Sequence, residues 1–181
     1  MTIVATPAEI VSFWRDAGPD QWFAQDESFD QAIRSRFLAT YEAAANGALA
    51  AWEDSAEGAL ALLLLLDQFP RNMFRCSARA FATDAQARTI ADRALARRFD
   101  RTTEPALRSF FYLPFMHSEV LSDQDRSVRL YEALGDVEHL RFAIEHRDVI
   151  RKFARFPGRN RALGRETTPA EHAYLAANKK A

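Results

Sequence analysis

Apolar residues recur at helical spacing along almost the whole chain. Ile10, Phe13 and Trp14 share one face, and Phe29, Ile33, Phe37 and Tyr41 follow at every fourth position. Ile90, Ala91, Ala94 and Leu95 repeat the pattern, as do Leu107, Phe110 and Phe111. Val128, Tyr131 and Leu134 begin another stripe, and Leu140, Ile144, Ile150 and Phe153 a longer one. The stretch from Leu60 to Phe69 is apolar on all sides, which predicts the central helix of the fold.

The polar positions punctuate these stripes. Thr6-Pro7-Ala8-Glu9, Ser28-Phe29-Asp30-Gln31 and Thr168-Pro169-Ala170-Glu171 have the spacing of capping boxes. The first and third place Pro at the first helical position. Further starts are expected at Ser55, at Thr83 or Asp84, at Thr103, at Ser122 or Asp123, and at Asp136. Stops are expected at Gly18-Pro19, Gly47, Pro70, Gly135 and Pro157-Gly158, with a stop or kink at Pro114. No stretch alternates with period two, so no strand is expected. The pattern predicts an all-α protein of seven to eight helices, packed as antiparallel hairpins in a tetratricopeptide-like array. Tyr131 to Asp136 has the look of such a hairpin turn. Phe69-Pro70-Arg71-Asn72 is echoed by Phe156-Pro157-Gly158-Arg159-Asn160, each after a long apolar helix.

Composition narrows the class. A chain of 181 residues suits one domain, or at most two closely packed halves. The net charge is −1, which gives no overall attraction to nucleic acid or to an anionic membrane. That balance is uneven: residues 1–60 carry a net −7 and residues 61–181 a net +6, nearly all of the positive charge as Arg. A lone cysteine, Cys76, excludes an internal disulfide and any paired-Cys zinc or redox motif. Met1 to Glu9 lacks the features of a signal peptide. The longest apolar run, Ala59 to Leu66, is far short of the ~20 residues of a membrane span. A cytoplasmic location is expected. Nucleotide-cradling glycine loops, metalloprotease and di-iron histidine motifs and the hydrolase nucleophile elbow are all missing. No cofactor and no metal is expected, and the oligomeric state stays open.

The candidate chemistry lies in the second half. Arg147, Arg151 and Arg155 fall at fourfold spacing, so a continuous helix would stack them as a clamp for phosphate or carboxylate. Paired with acids of the first 60 residues, they would instead be structural. His117-Ser118-Glu119 and His146 with Asp148 offer a base and an orienting acid, although residues two apart on one helix do not face each other. Arg71-Asn72 and Arg159-Asn160 follow proline breaks, where they could also supply donors to orphan carbonyls.

Taken together, Asp67-Gln68-Phe69-Pro70-Arg71-Asn72, Arg79-Ala80-Phe81-Ala82-Thr83-Asp84, Leu113-Pro114-Phe115-Met116-His117-Ser118-Glu119, His146-Arg147-Asp148-Val149-Ile150 and Arg155-Phe156-Pro157-Gly158-Arg159-Asn160 resemble domain of unknown function 924. Phe13-Trp14 and Leu163-Gly164-Arg165-Glu166-Thr167-Thr168 extend the resemblance over almost the whole chain. It implies an all-helical, tetratricopeptide-like fold and carries no assigned activity. Relatives often have His where this chain has Gly158, so chemistry by that His is not expected here.

Two functions follow as expectations. The first is a binding protein for a small anionic molecule or an acidic peptide, through Arg71, Asn72, Arg147, Arg155, Arg159, Asn160 and Arg165. The alternative is a hydrolase or transferase acting on a small metabolite, with His117 or His146 as base and Glu119 or Asp148 as orienter. Nucleic acid and membrane are not expected as partners. A third possibility is that the polar motif residues form a buried ionic network that fixes helix register.

Overall fold

The computed structural model describes residues 4–178. Among them every regular element is helical, as the apolar periodicity demands. Seven helices are eight residues or longer: α1 (Pro7–Ala17), α2 (Glu27–Ala45), α3 (Ala56–Leu63), α4 (Asp84–Ala96), α5 (Leu121–Leu134), α6 (Val137–Phe153) and α7 (Pro169–Ala177). Shorter helical turns join them. None of the described helices is long and apolar enough to cross a membrane. The chain divides into two compact units, Met1–Arg75 with Arg79–Pro114, and Cys76–Ala78 with Phe115–Ala181.

In the first unit α3 is the centre, with α1 and α4 packed against it. Ala59 to Leu66 are all at most 2% exposed, which is what an all-round apolar helix requires. Each buried Leu contributes roughly 1.5–3 kcal/mol of transfer free energy. α1 adds Ile10 and Trp14, α2 adds Ile33 and Phe37, and α4 adds Ala87, Ile90 and Ala91. The start of α3 also needs Gly58. A Cβ there would collide with the Trp52 carbonyl oxygen, so the glycine lets the preceding turn lie against the helix.

Pro70 does not end this central element. The chain widens into a π-helical turn, Leu64–Gln68, and runs on into the helix Phe69–Met73. Proline lacks the N–H that would bond the carbonyl four residues back, Leu66. The Thr83 hydroxyl donates to that carbonyl instead, at 2.6 Å. Thr83 therefore stands at the α4 N-cap position without capping the helix.

Several other boundaries follow local competition for donors and acceptors. Thr6 and Thr168 form the expected capping boxes, and Ser55 and Asp136 cap α3 and α6. The box expected at Ser28 is absent. Asp26, two residues earlier, takes the Ser28 and Phe29 N–H groups with one carboxylate oxygen and begins α2 sooner. Thr103 turns its hydroxyl back to the Phe99 carbonyl at 3.0 Å, and Glu104 precedes the next short turn without a side-chain cap. α5 begins at Leu121 rather than at Ser122 or Asp123: the Gln124 N–H already bonds the Val120 carbonyl, and the Asp123 carboxylate accepts from the Ser118 hydroxyl. Pro114 sits inside the short turn Leu113–Met116.

In the second unit α5 and α6 pack against each other, joined through the left-handed Gly135 (φ 75°) and Asp136. So short a link makes them antiparallel neighbours. α6 stops at Phe153, before the expected break at Pro157-Gly158. Ala154 takes a left-handed conformation (φ 57°) that the sequence does not advertise with Gly or Asn.

Candidate functional site

Most of the polar motif residues collect into two networks, one in each unit, whereas Arg79 pairs with Glu42 on the surface at 3.6 Å. In the first, Arg71 projects from Phe69–Met73. Its guanidinium donates two bonds to Asp84 at 2.9 and 3.0 Å and one to the Asp67 carbonyl oxygen at 2.5 Å. The Asp67 carboxylate lies 3.3 Å away. Burial opposes the charge, yet the two carboxylates hold the Arg71 pKa above its ordinary value. Asn72 is buried; its amide donates to Asp30 at 2.8 Å and its oxygen accepts from Gln68 at 3.2 Å. Gln68 also donates to the Trp22 carbonyl at 3.2 Å. Arg75 closes on Asp30 from the other side.

The second network ties the 154–168 loop to α7. Glu171, buried at the first turn of α7, receives both arms of Arg155 at 2.6 and 2.8 Å, the Thr168 N–H at 2.8 Å and the Asn160 amide at 3.3 Å. Arg165 donates to the Asn160 oxygen at 3.0 Å and forks onto Glu119 at 2.8 and 3.0 Å. Glu119 also accepts from the Phe156 N–H at 2.8 Å. Arg159 donates to the His117 carbonyl at 2.8 Å. The echoed Arg-Asn pairs thus do the same work twice: Arg meets a carbonyl, and a buried Asn bridges to a carboxylate.

Both acids are held below their ordinary pKa of 4.5. For Glu171 the cause is first Arg155, then the Thr168 N–H. Burial pushes Glu119 up, but the Arg165 fork and the Phe156 N–H outweigh it. A depressed pKa means that the unfolded chain binds the proton more readily. The stabilisation is therefore complete above pH ~4.5 and is lost as acid protonates the folded carboxyls. Thermal melting from pH 7 to pH 3 should show the wild-type midpoint falling steeply below pH ~4.5. A Glu119→Gln, Glu171→Gln double variant should start lower and fall less. Equal slopes for the two proteins would show that these carboxyls do not carry the acid sensitivity.

The expected Arg column does not form. Arg155 lies beyond the end of α6, turned away by Ala154, and serves Glu171. Arg151 pairs with Asp125 at 3.1 Å, and Arg147 with its neighbour Asp148 at 3.4 Å. These partners lie in the second unit, so pairing with acids of the first 60 residues is not what engages them. Among the described residues the two acids expected to orient a histidine are engaged by other groups: Glu119 by Arg165 and the Phe156 N–H, and Asp148 by Arg147 and Arg151. His146 uses Nδ1 on the Phe142 carbonyl at 2.8 Å and sets its ring edge-on to Phe156. His117 follows the Leu113–Met116 turn.

One motif residue, Asn72, opens onto a groove of about 500 Å³ in the first unit. Gln25, Glu27, Asp30, Gln31 and Arg34 line one wall, and Asn72, Met73 and Arg75 the other. Glu27, Gln31 and Arg34 are at positions i, i+4 and i+7 of α2, flanking the buried stripe of Ile33, Phe37 and Tyr41. Arg34 donates through Nη2 to the Met73 carbonyl and lies 5.4 Å from the Phe74 ring centre. Among the described residues it has no carboxylate partner, and Glu27 has no cationic one. Sequence reasoning passed over Arg34, Gln31 and Glu27. Their signal was a polar stripe of mixed sign beside an apolar one, which most surface helices also carry.

Fold and networks together define an all-helical protein whose polar motif residues fasten loops and helix ends. The chain belongs to the family described as bacterial protein of unknown function (DUF924), whose model matches residues 10–179. It is similar to a solved structure, a protein of unknown function, ATU0120, from Agrobacterium tumefaciens. The two are 49% identical with a TM-score of 0.92, over 95% of this chain and 97% of that one. No curated protein matches the sequence.

Proposed function

We propose that this is a cytoplasmic binding protein of tetratricopeptide-like, helical-hairpin build, which takes a small carboxylate-bearing ligand in the groove between α2 and Phe69–Met73. The observation that carries this reading is Arg34. It is a guanidinium in a concavity of ligand-sized volume, with one carbonyl contact and no carboxylate to neutralise it. The neighbouring Arg75 is already matched by Asp30, and Asn72 fixes Asp30 in turn. Asn72 and the Asp30–Arg75 pair then act as the frame of the site, and Arg34 and Gln31 as its contact groups. The exposed Cys76 thiol suits a reducing compartment.

Calorimetric titration with acetate, succinate and inorganic phosphate tests this reading. At least one carboxylate should bind, and Arg34→Gln should weaken it about 10- to 100-fold, the value of one charge-assisted hydrogen bond. Arg151→Gln, in the second unit, should leave the affinity unchanged. If no carboxylate binds, or if binding survives Arg34→Gln, the groove is not the site.

A further inference from the structure

We infer that the groove ligand is a short extended peptide with free ends, its carboxylate on Arg34 and its amine at Glu27. This inference rests on the carboxylate-binding reading above. Its own support is the order of charges along α2. Glu27 and Arg34 are seven residues apart, which is ~10 Å along a helix axis. An extended chain advances ~3.3–3.6 Å per residue, so about three residues span that distance. Acid at one end and guanidinium at the other match the two termini of a zwitterion and only one end of a dicarboxylate.

The middle of the groove suits a peptide as well. Gln31 lies between Glu27 and Arg34 on the same stripe. Gln25 also lines the groove, and neither Gln makes a side-chain hydrogen bond among the described residues. A primary amide carries a donor and an acceptor, the complement of a peptide bond. At the amine end, the Asp26 cap and Glu27 place two acids at the start of α2, opposing the positive pole of the helix. The Asp30–Arg75 pair links the two walls and balances its own charge.

Titration of the full chain with trialanine and its blocked forms tests this assignment. Trialanine should bind at least 10-fold tighter than acetate. N-acetyl-trialanine and trialanine amide should each bind at least 10-fold more weakly than the free peptide. In Glu27→Gln the acetylated and free peptides should bind alike, and in Arg34→Gln the amide and the free acid should do so. Single alanine and hexa-alanine should both bind more weakly than trialanine. If acetate or succinate binds through Arg34 while acetylation makes no difference, the peptide assignment falls and the carboxylate site stands. If neither trialanine nor any carboxylate binds, both fall together.

Discussion

Replacing Arg71 with Met lowers the unfolding free energy by about 3–5 kcal/mol, the usual effect of removing one partner from a buried ion pair. The Asp67 side chain is 3% exposed and Asp84 14%, so both carboxylates would lose their guanidinium far from bulk water. Met keeps the length and most of the volume of the Arg stem, which confines the change to charge and hydrogen bonding. The Asp67 carbonyl, an end group of the π-helical turn, loses its Arg71 donor as well. Adding Asp67→Asn to the variant should return part of the loss, since it removes the charge left behind. Urea denaturation of the wild type, Arg71→Met, Asp67→Asn and the double variant measures the cycle. A loss below ~1 kcal/mol for Arg71→Met would place the pair with ordinary surface bridges.

Trp14→Ala should cost about 3–5 kcal/mol, the range for deleting a fully buried aromatic. Trp14 is 0% exposed, and its ring meets Trp22, Phe29, Phe69 and Phe110 at centroid distances of 5.5–6.1 Å. Its removal opens a void bounded by rigid rings, which cannot collapse far. Its own carbonyl, which accepts the Trp22 indole N–H at 2.6 Å, would stay but lose its support. For a chain of this size 1 kcal/mol moves Tm by roughly 2–4 °C, so a fall of about 10 °C is expected in a melting scan. Trp14→Phe should be markedly milder, because the Trp14 Nε1 finds no acceptor among the described residues and nothing is lost with it.

How much of this was legible depended on how local the cause was. The all-α class, the central Leu60–Phe69 stretch and the caps at Thr6, Ser55, Asp136 and Thr168 follow from residues within one or two turns of each other. Ser28 misled because a better acceptor, Asp26, stood two residues upstream. Pro70 misled because the donor that replaces its missing N–H comes from Thr83, thirteen residues on. The Arg147, Arg151 and Arg155 clamp rested on an unbroken helix, and an alanine in left-handed conformation broke it. The pairing of Arg165 with Glu119 joins residues 46 apart, and no periodicity announces such a match. The motif residues were recognisable as a set, whereas their work of holding loops to helices was visible only once partners could be named.

The wide turn at Leu64–Gln68 also acts as a phase setter. One additional residue in a helical turn rotates everything beyond it by ~100° relative to an unbroken α-helix. Arg71 and Asn72 come just after it and must reach Asp84 on one side and Asp30 on the other. Without that angular offset the same six letters, Asp-Gln-Phe-Pro-Arg-Asn, would aim their polar groups elsewhere. In this chain the angle of a single coil, as much as the identity of the residues it carries, determines which carboxylates they find.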